Sequence, residues 1–214
     1  AYFLIDSKKV KFQKIMYICV DSFIISMIFL AIFIALKVPI DSECLLKQFM
    51  PIIFKNNWFI STYILYYLIH PWLNKIIDDL SEKKLLLIDL GIVLFYVLNL
   101  VIEFFEPIKN DFIGFVLIHF ILAYFKKYLK GYNNSKMLNF FTLLISSSTL
   151  MLLIVIVNMI GIKSEYFSEK MLEMANVYNP FIILIGISMF NIANTTNFYI
   201  KGINKISSLT MLIY

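Results

Sequence analysis

The sequence predicts an all-α fold, a polytopic transmembrane helix bundle of six spans plus a truncated seventh. Three observations predict it. Of 214 residues, 61% are hydrophobic and 15% charged, against about 45–50% apolar and about 25% charged in a soluble domain. The mean hydropathy is +0.83. The apolar residues also gather into runs of about 20, the length a helix needs to cross a ~30 Å hydrocarbon core. A chain this apolar cannot hide its surface in a water-soluble core. The two cysteines, Cys19 and Cys44, show no CxxC or Cys/His spacing, so neither a disulfide framework nor a metal site is expected.

The spans are read at 15–36, 58–77, 85–104, 112–128, 137–160 and 178–199, within one integral-membrane domain covering 1–214. A seventh run, 206–214, reaches only about 13 Å at 1.5 Å per residue. With the opening "AYFLI", it leads us to expect a piece of a longer polytopic protein, truncated at both ends.

Polar groups inside such runs are the first place to look for function, because each must be paired or solvated. In the first run, a carboxylate such as Asp21 would cost about 2.5–3.5 kcal/mol at mid-bilayer and less near the interface. It reads either as the edge of a polar cavity, with Ser22 and Ser26, or as an interfacial group tied to a lysine such as Lys14. The second run has Trp58 and Trp72 near its ends, as interfacial aromatic belts do. Its middle carries Tyr63, Tyr66, Tyr67 and His70 at i, i+3, i+4 and i+7, one helical stripe. Pro71 removes a backbone donor and frees the carbonyl of Tyr67, which predicts a kink beside His70. The stripe is read as anchor and cavity wall together, with packing as the alternative.

Asp89 lies near the inner end of the third run, and His119 near the middle of the fourth. His119 is read as an interhelical hydrogen-bonding group or a site residue. Ser146 to Thr149 are small hydroxyl residues suited to close helix packing. On the last complete run, Asn191, Asn194 and Thr195 fall at i, i+3 and i+4, a shared face expected to point toward protein or water, with Asn197 following.

All 19 basic residues are lysine. They sit between runs rather than on one soluble face, so no nucleic-acid partner is expected. With the N-terminal segment inside, thirteen fall on inner loops, from Lys8, Lys9, Lys11 and Lys14 through Lys201 and Lys205, and six on outer loops or span ends. That asymmetry fits six crossings and a cytoplasmic N-terminal segment.

Several stretches carry a family resemblance. "NNWFISTYILYYLIHPWLNKII" resembles a block of the acyltransferase-3 family of membrane-bound acyltransferases, matching at Trp58, Phe59, Ile60, Tyr63, Pro71, Leu73, Asn74 and Lys75. His70 stands where the family has a small residue. "AYFLIDSKKVKFQKI" is similar to another block, with Ala1 in place of Gly and Lys11 and Lys14 in place of arginines. "DFIGFVLIHFILAYFKKY" and "INKISSLTMLIY" resemble two further blocks, in order.

The resemblance implies a bacterial plasma-membrane enzyme that moves an acyl group, commonly acetyl, from cytoplasmic acyl-CoA to an extracytoplasmic glycan or envelope acceptor. Acyl-CoA is then a donor substrate, with no resident cofactor. The catalytic His it implies sits in a helix upstream of this chain, so no catalytic residue is carried over onto it. The cavity candidates are Trp58, Tyr63, Tyr67, His70, Asn74, Asp21, His119, Asn191 and Asn194. Lys8, Lys9, Lys11 and Lys14 are candidates for the phosphates of acyl-CoA, as point charges without the bidentate grip of Arg. The other readings are a transporter or glycan flippase, which predicts repeated halves and broken helices, and an inactive remnant of the acyltransferase.

Overall fold

The computed structural model describes residues 2–54, 58–102, 111–161 and 179–196. Among them every regular element is helical. A 3₁₀ turn, Tyr2–Leu4, is followed by α1 (Phe12–Ala35), α2 (Ser42–Phe49), α3 (Trp58–Asp78), α4 (Glu82–Ile102), α5 (Asp111–Tyr128), α6 (Lys130–Asn134), α7 (Lys136–Gly161) and α8 (Pro180–Thr195). The six long helices fall on the six expected runs. Their ends differ by up to four residues, because backbone hydrogen bonding does not stop where hydropathy does: α4 begins at Glu82 and Lys83, before its first leucine. The expected seventh run, Lys201, Lys205 and Asn197 lie outside the described residues.

By length and composition, two helices among the described residues can cross a membrane, Phe12–Ala35 and Lys136–Ile156. Of the others, α8 is shorter, at 16 residues. The 18 residues of α5 include Asp111, Lys126 and Lys127, and α3 dilutes its aliphatics with Tyr, Trp and His.

Two elements were not anticipated. The first, α2, follows a helix stop at Leu36. There the Val38 N–H donates to Phe33 O at 3.0 Å and the Lys37 N–H to Ile34 O at 3.1 Å, the paired bonds of a Schellman ending. That ending places Lys37 at φ 55, a left-handed conformation costing a non-glycine residue about 1–2 kcal/mol. Asp41 then caps α2 by accepting from the Cys44 N–H at 2.7 Å. Glu43 pairs with Lys47 one turn on, at 2.6 Å, and its carboxylate raises the Lys47 pKa. The second unanticipated element is α6, a single turn joining α5 to α7.

The chain divides into two compact units, one of residues 1–5 and 73–198, the other of residues 6–72 and 199–214. In the second, α1 packs on α2. The entry to α1 also meets α3: the Lys11 N–H donates to the Tyr67 hydroxyl at 3.3 Å, and the Lys14 ammonium sits 5.3 Å from the Tyr67 ring centre. The burial pattern of α1 is the reverse of a soluble helix. It buries Ser22, Ser26 and Leu30, on one face, and exposes Phe12, Met16, Val20, Phe23, Ile24 and Ile28.

In the first unit, α7 packs along α8, and α4 packs on α5 and α8. One apolar cluster joins Ile92 and Tyr96 of α4, Ile121 of α5, and Ile183 and Ile187 of α8. Another joins Ile5, Ile77, Leu85 and Ala123. The same inversion recurs on α7, which buries Asn139 and Ser146 while exposing Met137, Phe140, Leu144, Ile145, Met151 and Leu152. Burial of Ser146 is the close packing that its small size predicts. Ser147 points outward and bonds its own helix at Leu143 O, at 2.7 Å.

Candidate functional site

Each unit places part of the sequence-predicted set. In residues 6–72 the centre is the aromatic stripe of α3. Tyr66, Tyr67 and His70 are buried, and Tyr63 is half-buried beside them. Tyr63 stacks on Tyr67 at 6.0 Å between ring centres, and Tyr67 lies 5.0 Å from His70. The stripe therefore faces inward.

The carbonyl that Pro71 is expected to free is met by a side chain. Proline has no N–H, so the carbonyl four residues back, Tyr67 O, lacks its intrahelical donor. His70 Nδ1 lies 2.5 Å from that oxygen. A carbonyl only accepts, so Nδ1 carries the hydrogen. In the neutral ring Nε2 is then a bare acceptor. Nε2 is buried and has no hydrogen-bond partner among the described residues. The tautomer thus follows from the residue that comes next in the chain.

In residues 1–5 and 73–198, Asn74 is the hub. Its Nδ2 donates to Leu4 O at 2.7 Å, and its Oδ1 faces His119 Nε2 at 2.9 Å. Because Asn74 presents its N–H₂ to a carbonyl, its oxygen accepts from His119, whose Nε2 therefore carries the hydrogen. Asn74 and His119 are both buried, His119 completely. Three stretches far apart in sequence are tied by two bonds.

Asn191 of α8 anchors a second polar cluster. Its Nδ2 donates to Asn133 Oδ1 at 3.1 Å and to Asn139 Oδ1 at 3.0 Å. Those two amides are oriented by backbone: Asn133 Nδ2 donates to Phe125 O at 2.6 Å, and Asn139 Nδ2 to Tyr132 O at 2.6 Å and Ser135 O at 2.8 Å. The Tyr132 and Ser188 hydroxyls are paired at 2.9 Å. Asn133 and Asn139 were missed by the sequence reading, in which Asn133 fell in the inner loop before the run 137–160 and Asn139 just inside that run. The available signal was an Asn/Ser cluster before an apolar run, the composition of a helix entry.

The other predicted residues separate. Asn194 is exposed rather than inward. Three residues at 100° each leave it about 60° from Asn191, enough to leave the α7–α8 contact. Thr195 returns its hydroxyl to its own helix, at Asn191 O, 2.8 Å away. Asp21 is half-buried and is not tied to Lys14, whose ammonium lies on the tyrosine rings instead. Asp89 is buried with neither carboxylate oxygen partnered among the described residues. Trp58 and Trp72 are exposed at separate levels of α3, as belt residues are. Lys8, Lys9, Lys11 and Lys14 are all exposed. Among the described residues, no three of His, Cys, Asp and Glu gather in a way that would hold a metal ion. Comparison with protein-family models, with curated proteins and with solved structures finds no match to this chain.

Proposed function

We propose that this chain is the membrane-embedded body of an O-acyltransferase. It moves an acyl group, acetyl in the simplest case, from cytoplasmic acyl-CoA to a hydroxyl of an extracytoplasmic glycan or other envelope acceptor. The observation that carries the reading is the bond chain Leu4–Asn74–His119. Each of its members comes from a different stretch of the acyltransferase-3 resemblance. Stretches that belonged together only by likeness converge on one buried hub.

In this reading all six long helices cross the bilayer, with the N-terminal segment cytoplasmic. Support comes from the inverted burial of α1 and α7, whose apolar sides face outward and whose small polar groups face inward, the arrangement expected when lipid is the solvent. Lys8, Lys9, Lys11 and Lys14 supply positive charge on the side where the phosphates of acyl-CoA arrive. Lys14 also touches the stripe that leads to His70.

The chemistry is acyl transfer from a thioester. The acceptor hydroxyl attacks the carbonyl carbon, a C–O bond forms and the C–S bond breaks. A base takes the hydroxyl proton and passes it to the departing thiolate, so coenzyme A leaves as the thiol. The base that the resemblance implies is not carried over onto any residue of this chain. The residues here bind and orient, and His70 Nε2 is an acceptor already in the tautomer that can receive a hydroxyl hydrogen.

The test is deletion of the complete gene followed by measurement of ester-linked acetyl on the cell-surface glycan. The reading expects acetyl ester to fall to background and to return on complementation. Unchanged acetylation in the deletion strain would overturn it.

A further inference from the structure

The unit of residues 1–5 and 73–198 contains a cavity of about 460 Å³ between the N-terminal turn, α5 and α8. That volume lies within the ~300–1,000 Å³ range of small-molecule sites. Its walls are mostly apolar, from Ile118, Leu122, Phe125, Ile183, Ile187 and Phe190, and the lining residues with polar side chains are Asn133, Asn191 and Tyr2. Phe190 closes against Tyr2 at 4.7 Å and against Phe3 at 5.5 Å.

The asparagine network determines what that polar end offers. Asn133 and Asn139 must turn their N–H₂ groups to backbone carbonyls, so both present oxygen to Asn191. Asn191 must answer with its own N–H₂. Its Oδ1 is then committed as an acceptor, and the bonds to Asn133 and Asn139 do not use it. The amide cannot flip without breaking bonds at two partners. The cavity therefore combines mostly apolar walls with oriented amide groups and no charged lining residue.

We infer that this cavity binds a single apolar chain ending in a hydroxyl, an alkyl or prenyl alcohol, with the hydroxyl donating to Asn191 Oδ1 and the chain lying between α5 and α8. The inference does not depend on acyl transfer being the activity, and binding is measured without any turnover.

Gly186 lines the cavity, and a Cβ built on it meets nothing within 4 Å. Gly186→Leu therefore adds volume in open space on a helix that leucine favours over glycine. The experiment uses the purified chain in lipid nanodiscs and a photoactivatable dodecanol carrying a diazirine, with labelled peptides mapped by mass spectrometry. Labelling is expected on the peptides holding Leu122 and Ile183. Unlabelled dodecanol should compete better than dodecyl methyl ether, by about 2- to 10-fold for one neutral hydrogen bond. Gly186→Leu should cut labelling of those peptides at least about 5-fold and leave labelling on the exposed face of α1 unchanged, an effect of filling the space on which binding depends. Equal competition by alcohol and ether overturns the assigned acceptor. Labelling of α5 and α8 that survives Gly186→Leu overturns the site. The alcohol and ether series on the unaltered protein decides the matter even where the variant does not fold.

Discussion

Pro71 and His70 show how one covalent fact becomes a chemical property. Proline removes an N–H, the carbonyl of Tyr67 loses its donor, and the neighbouring imidazole supplies one. The acceptor face of His70 is thus set by backbone chemistry rather than by a charged partner. Pro71→Ala restores the missing N–H, which then competes for Tyr67 O. The share of His70 carrying its hydrogen on Nδ1 should fall, which ¹⁵N NMR of selectively labelled histidine detects as a shift of both ring nitrogens toward the average. An unchanged tautomer would mean that something other than Pro71 sets it. The proline, the freed carbonyl and the stripe were all legible in the sequence. The closing of the gap by His70 itself was not, because it depends on a rotamer.

Between elements, the controlling interaction is the asparagine clamp that gathers α6, α7 and α8. Asn191→Leu removes two donors and strands two buried amide oxygens, so a loss of about 2–4 kcal/mol is expected, since a buried acceptor left unmade costs about 1–3 kcal/mol. Thr195→Val, one turn away, removes only a hydroxyl bonded within its own helix and should change stability by no more than about 0.5 kcal/mol. Steric-trap or thermal unfolding in detergent compares the two. The comparison separates Asn191 as a joint between helices from its position on a polar face. Hydrogen exchange adds a local check: in Asn191→Leu, protection should fall first in α6 and the start of α7. At this level the sequence was partly readable. Periodicity identified Asn191, but of its partners Asn133 sat in a loop whose lysines drew attention to topology, and Asn139 was a single asparagine at the start of the run 137–160.

For the whole molecule, the question is how many helices cross. The lysine asymmetry and the six long helices make a definite prediction for a chain with Cys19 and Cys44 replaced by serine. A cysteine placed at Lys47 should react with an impermeant thiol reagent added to intact cells. Cysteines at Lys84 and Lys130 should react only after permeabilisation. In the proposed topology both positions belong to the cytoplasmic set, which holds thirteen of the 19 lysines. Labelling of Lys84→Cys and Lys130→Cys from opposite sides would leave an odd number of crossings between them and remove the six-span arrangement.

The sequence by itself determined that the chain is helical and where its long helices lie, because hydrophobic run length and the backbone's need for internal hydrogen bonds are local properties. It also placed the proline, its freed carbonyl and the stripe of rings around it. Tertiary structure alone decided which polar residues meet. Asn74 finds His119 and Leu4, Asn191 finds Asn133 and Asn139, and Asn194 finds the exterior. These outcomes turn on helix rotation and on the turns between helices, and no periodicity within one helix contains the rotation of its neighbour.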